Sequence, residues 1–125
     1  MTVLVDSDIL IEVSRGRSAD VVARWIDLAK SGVAILYSPV SAAELWARAK
    51  PSEHETLEKL FRALSCVTID NEAGRKAGDY MRLYSKSHSV ELADALIAAS
   101  ANSNRALLWT RNRKRYPMAE LEFLS

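Results

Sequence analysis

Three acidic residues stand apart in this chain of 125 residues. Asp6 ends the short apolar, β-branched run Thr2-Val3-Leu4-Val5. Glu44 falls in the first turn of the helical segment that follows Ser38-Pro39. Asp94 is the single charge within Leu92-Ala93-Asp94-Ala95-Leu96-Ile97-Ala98-Ala99. In open α/β sheets, ligands bind beyond the carboxyl ends of the strands. Asp6 and Glu44 follow strand-like runs, and the three acids are expected to converge on that edge. Two carboxylates about 4 Å apart repel by about 4 kcal/mol at an effective dielectric near 20. Three cannot all stay ionised without a cation or a shifted pKa. Ligation by oxygen alone selects a hard ion, Mg2+ or Mn2+, over zinc. Such an ion polarises a phosphoryl oxygen and lowers the pKa of a bound water, which is the chemistry of phosphodiester hydrolysis.

Each acid also has a plainer use. Asp8 reads as the cap of a helix starting at Ile9, while Asp6 sits a step early for that role. Ser41-Ala42-Ala43-Glu44 has the spacing of a capping box, in which the Glu side chain bonds back to the Ser41 amide. Asp94 on an apolar helix needs a partner, either an arginine or a metal.

The elements that must position these residues follow from the apolar pattern. Thr2–Val5, Val33–Tyr37, Cys66–Ile69 and Ala106–Thr110 read as short buried strands. Helices are expected over Ile9–Val13, after Ser18, from Ser41 to Ala49, after Pro51-Ser52, after Asp70 and over Val90–Ala101. The last is apolar nearly all round and so buried. Ser85–Ser89 reads as a polar linker, Arg111–Pro117 as a basic loop and Leu121–Leu124 as a final short strand. Continuous apolar strands alternating with helices predict an α/β three-layer sandwich around a mainly parallel sheet. No repeat, low-complexity tract or linker divides it, so residues 1–125 are read as a single domain.

Composition narrows the class. Hydrophobic residues make up 49% and charged residues 26%, values of an ordinary globular protein. Apolar runs such as Ala95–Ala99 fall far short of the roughly 20 residues that cross a bilayer. The first residues reach Asp6 at once, with no pattern of a signal peptide. The single cysteine, Cys66, is too little for a thiolate metal cage and points to a reducing, cytoplasmic setting. The net charge of +1 conceals an asymmetry. Residues 1–60 sum to −2 and residues 61–125 to +3, with the excess in Arg111, Arg113, Lys114 and Arg115.

Four segments together carry a resemblance. Val3-Leu4-Val5-Asp6-Ser7-Asp8-Ile9-Leu10-Ile11, Ser38-Pro39-Val40-Ser41-Ala42-Ala43-Glu44-Leu45, Leu92 to Ala99, and Leu107-Leu108-Trp109-Thr110-Arg111-Asn112 through Tyr116-Pro117 are similar to the motifs of PIN-domain ribonucleases, in order. The likeness is greatest to the VapC-type toxins of toxin–antitoxin pairs. Any one motif is weak, but four in order are specific. The resemblance implies a metal-dependent endoribonuclease acting on structured RNA such as transfer or ribosomal RNA. It further implies a homodimer and an antitoxin partner. By position, Asp6 and Asp94 become the principal ligands for Mg2+ or Mn2+, and Glu44 a further acid that ligates metal or orients water. Many relatives place a fourth acid where this chain has Asn112. Asn112 and Thr110 would hydrogen-bond water or phosphate, and Asp8 lies close by.

The basic loop then reads as an RNA-phosphate contact through Arg111, Arg113, Lys114 and Arg115, or as a solvated surface. Trp25, Phe61 and Trp109 fit core positions. Trp46, Tyr80 and Tyr84 are candidates for a dimer or antitoxin surface. His54 and His88 are expected on the surface. Two other readings compete. A PIN-like module could bind RNA or a partner without cutting, which the neutral Asn112 would suit. Asp6-Ser7-Asp8 also fits the start of haloacid dehalogenase-type phosphatases, although no later strand ends in the acidic pair that family needs.

Overall fold

The computed structural model describes residues 1–125. Four strands form its centre: β1 (Thr2–Val5), β2 (Ala34–Tyr37), β3 (Ser65–Cys66) and β4 (Leu107–Trp109). All pair in parallel, in the order β3-β2-β1-β4. Val3 stands opposite Ile35 on one side and Leu107 on the other, so β1 is the central strand. Six helices connect and cover the sheet: α1 (Ser7–Arg15), α2 (Ala19–Lys30), α3 (Pro39–Arg48), α4 (His54–Arg62), α5 (Asn71–His88) and α6 (Leu92–Ser103).

The period-2 alternation of strand side chains divides the core into two. Val3, Val5 and Trp109 pack with Ile9, Leu10, Val21, Leu28, Leu45 and Leu57 of α1 to α4. Leu4 and Leu108 face the other way, onto α5 and α6, where Tyr80, Ala95, Ala98, Tyr116 and Met118 join them. The chain is therefore the expected three-layer α/β sandwich, with every strand pair parallel. None of its helices is long and apolar enough to cross a membrane.

Local differences from the expected elements have physical causes. The third strand is Ser65–Cys66 rather than Cys66–Ile69: Val67 N–H still donates to Tyr37 O at 2.9 Å, after which the chain runs to Asp70, which accepts from the Ala73 amide and caps α5. The Ser85–Ser89 segment is helical to His88. Its residues are exposed and polar but include no glycine or proline, so nothing breaks the helix before Ser89, which turns left-handed at φ 55°. The final strand is one parallel bridge, Leu108 to Phe123, fixed by Leu108 N–H donating to Glu122 O at 2.8 Å and Leu124 N–H to Leu108 O at 2.9 Å. Among the aromatics, Trp109 and Tyr80 lie in the core, so Tyr80 offers no surface for a partner, whereas Trp46 is 38% exposed.

Candidate active site

Asp6 leaves the end of β1 and is itself the cap of α1, its Oδ1 accepting from Ser7 N–H at 2.8 Å. Asp8, expected in that role, lies inside the first turn. Its Oδ1 accepts from Ile9 N–H at 2.8 Å and its Oδ2 from Arg111 N–H at 3.0 Å, so it staples the loop after β4 to α1. Burial, then the charge of Asp6, raises the pKa of Asp8, against the two amides that stabilise its charge.

The other oxygen of Asp6 has two donors. Thr110 Oγ1 donates to Oδ2 at 2.8 Å and the Tyr116 hydroxyl at 2.9 Å. Asn112 N–H in turn donates to Thr110 Oγ1 at 3.0 Å. Tyr116 is 3% exposed. Burial and the neighbouring Asp6 carboxylate push its hydroxyl far above the usual range, so it stays a neutral donor.

Glu44 is not held by a capping box. Ser38, not Ser41, caps α3, its Oγ accepting from Val40 N–H at 3.1 Å, and Pro39 takes the first helical position that suits its fixed φ. Ser41 falls inside the helix, fully buried. Its Oγ lies 2.9 Å from Ser7 Oγ, which lies 3.2 Å from Glu44 Oε1. A hydroxyl carries one proton. The relay in which Ser41 donates to Ser7 and Ser7 to Glu44 satisfies all three groups.

Asp94 has the arginine partner and a cap role together. Its Oδ2 accepts from Glu91 N–H at 3.1 Å at the start of α6, and Arg115 Nη1 lies 3.5 Å away. Its pKa is raised, chiefly by burial. The Glu91 amide and Arg115 oppose the shift, and the charges of Asp6 and Glu91 add to it.

Asp6, Glu44, Asp94 and Asn112 line one cleft of about 230 Å3 at the carboxyl edge of the sheet, with Asp8, Glu91, Arg48 and Arg115 on its walls. Five carboxylates thus face two guanidiniums. The field favours a cation. Asp94 Oδ1 and Glu44 Oε2 accept no hydrogen bond, and Asp6 Oδ1 accepts one. The donors on offer are all oxygens, and no histidine or cysteine lines the cleft. No three acidic, histidine or cysteine side chains stand close enough to hold one ion between them, so a cation here would take one or two carboxylates directly. That suits Mg2+, which keeps several waters and takes one or two carboxylates with substrate oxygens.

The basic loop is divided. Arg111 Nη1 lies 3.9 Å from Glu12, and Arg115 faces Asp94. Arg113 Nη2 donates to Leu124 O at 3.1 Å, and its guanidinium lies 4.9 Å from the centre of the Phe123 ring. Lys114 makes no ion pair. Four site residues escape sequence reasoning, among them Glu91 at the start of α6. Arg48, exposed and without an ion pair, follows Glu44 by one helical turn, which is the signal that could have found it. Ser7 stands between two aspartates, and Tyr116 is the one aromatic of the basic loop.

The PIN domain family profile matches residues 3–122. Ribonuclease VapC10 of Mycobacterium tuberculosis is 37% identical over 120 residues, covering 94% of this chain and 88% of that protein. Ribonuclease VapC19 of the same species is 33% identical over 116 residues, covering 92% of each. Among solved structures, VapBC2 of Rickettsia felis, bound to a DNA fragment from its promoter, superposes with a TM-score of 0.82 at 20% identity, over 99% of this chain and 98% of that one. The profile and the sequence relatives span all the elements that deliver the acids, from β1 through the loop after β4, and on that breadth the chain belongs to the PIN domain family.

Proposed function

We propose that this protein is the ribonuclease toxin of a toxin–antitoxin pair, hydrolysing RNA phosphodiester bonds with Mg2+ or Mn2+ held by Asp6 and Asp94, with Glu44 beside them. The observation that carries the reading is the acid-lined cleft, in which three carboxylates from distant segments each keep an unfilled acceptor position. The activity of the VapC relatives and the family match across residues 3–122 support it. Membership of the PIN domain family sets aside the phosphatase reading.

A bound divalent cation supplies charge stabilisation on the phosphoryl oxygens and a water of lowered pKa. The chain's own residues do the rest. Asp6, fixed by Ser7, Thr110 and Tyr116, presents a carboxylate that needs no reorganisation. Asp94 holds the facing side from the first turn of α6. Glu44 Oε2 is free to accept a proton from, or orient, an attacking water. Asn112 and Thr110 lie where water or phosphate can be hydrogen-bonded. Arg48 and Lys114, without ion pairs of their own, contact flanking RNA phosphates, and Arg115 and Arg111 add charge at the rim. The biological unit is a homodimer in the cytoplasm, silenced by its antitoxin.

Cleavage of end-labelled structured RNA by the purified protein, in Mg2+ or Mn2+ and in EDTA, tests this. Cutting that requires the cation, yields 5′-phosphate and 3′-hydroxyl ends and is lost in Asp6→Asn supports it. Equal cutting in chelator overturns the cation's role. RNA binding without any cutting establishes the non-catalytic module instead.

A further inference from the structure

We infer that Tyr116 is a positioning residue for the reaction: its hydroxyl holds Asp6 turned so that Oδ1 is the oxygen left for a cation. This deepens the nuclease reading above and rests on it. A carboxylate offers about four acceptor positions, two on each oxygen. Thr110 Oγ1 at 2.8 Å and Tyr116 OH at 2.9 Å fill Oδ2 of Asp6. Ser7 N–H at 2.8 Å takes one position on Oδ1. A single acceptor position remains, on Oδ1, and Asp6 lines the cleft.

Thr110 alone does not fix the carboxylate as firmly, for its hydroxyl is a short rotor whose oxygen also accepts from Asn112 N–H. Tyr116 is different in kind. Tyr116 is 3% exposed and belongs, with Leu108, Met118 and Leu121, to the core on the α5 and α6 side of the sheet. The hydroxyl is therefore delivered from a rigid wall, with Asp6 as its one hydrogen-bond partner. A buried tyrosine hydroxyl needs an acceptor, and the one it takes here is a carboxylate of the cleft. The same residue anchors the end of the loop that carries Asn112 and Arg115, both of which line the cleft.

Tyr116→Phe keeps the ring and removes the donor. Mn2+ binding to the full chain, followed by electron paramagnetic resonance, is measured beside RNA cleavage as a function of Mn2+. Partners beyond the ligands of a metal site contribute about 10–100-fold in metal affinity or activity. The expected result is a Mn2+ dissociation constant raised by that factor, with kcat lowered and KM for RNA unchanged. Thr110→Val removes the other donor on Oδ2 and is expected to weaken Mn2+ in the same direction. Circular dichroism establishes that each variant folds. Folded Tyr116→Phe that binds Mn2+ and cuts RNA as the parent does overturns the inference. If Tyr116→Phe is unfolded at the assay temperature, both measurements are made at a lower temperature where circular dichroism shows it folded. Asp6→Asn separates the two levels. If it loses Mn2+ while the Tyr116 and Thr110 variants do not, only the inference falls. If Asp6→Asn binds Mn2+ like the parent, the cation reading itself falls and takes the inference with it.

Discussion

Asp6 and Glu44 enter the cleft from different walls and are held in different ways. Asp6, at the junction of β1 and α1, accepts three hydrogen bonds, from Ser7 N–H, Thr110 and Tyr116. Glu44, on α3, accepts one, from Ser7 Oγ at 3.2 Å. Its longer side chain has one more rotatable bond, and Oε2 is free. A clamped carboxylate spends nothing on reorganisation when charge develops near it. A carboxylate hung from one hydroxyl can follow a water or a proton as they move. In the proposed reaction the two walls would divide the work, with a fixed point on one side and an adjustable group on the other.

The contrast can be broken at several places. The largest effect is expected at the fixed wall: Asp6→Asn lowers single-turnover RNA cleavage by more than about 10³-fold, whereas Glu44→Gln lowers it by roughly 10–100-fold. Equal losses in the two variants would erase the distinction. Ser7→Ala comes next, because it leaves the backbone donor to Asp6 intact and cuts the one bond to Glu44. Cleavage should fall about tenfold while the Mn2+ midpoint stays where it was. A shifted midpoint would mean that Glu44 shares directly in holding the ion.

A smaller difference separates two arginines. Arg48→Gln should weaken RNA binding and reduce the slope of log affinity against log salt by about 1. Arg113→Gln should leave the slope unchanged, because Arg113 is already tied to Leu124 O and Phe123. The smallest effect concerns Asp94 without divalent cation. Its folded pKa lies above the unfolded value, so its ionised form opposes folding at neutral pH, and the fold gains stability as pH drops through the raised pKa. Asp94→Asn in EDTA should raise Tm by about 3 °C, the shift that about 1 kcal/mol gives in a domain of this size. A lowered Tm would show that the pairing with Arg115 outweighs the burial of the charge.

Much of this architecture is written locally. The continuous apolar run Val3-Leu4-Val5 and the acid after it are enough to mark β1, its burial on both faces and the edge where Asp6 emerges. The all-apolar surroundings of Asp94 announce a buried carboxylate. What spacing cannot settle is which of two serines caps a helix. Ser41 and Glu44 have the right interval, but Pro39 fits the first helical position, so Ser38 takes the cap and Ser41 turns inward to meet Ser7. The charge of the basic loop is equally plain in the sequence, while its division among Glu12, Leu124 and Asp94 depends on segments brought together only by folding. Tyr116 is the extreme case, since its partner lies 110 positions earlier in the chain.

That separation bears on how the protein is made. Domains fold as synthesis delivers their parts, beginning with the amino end. Asp6 leaves the ribosome more than a hundred residues ahead of Thr110 and Tyr116. A nascent chain carries Asp6 without two of the three donors that hold it. The carboxylate at the end of β1 is therefore fully held only after the chain through Tyr116 has been synthesised and has folded onto it.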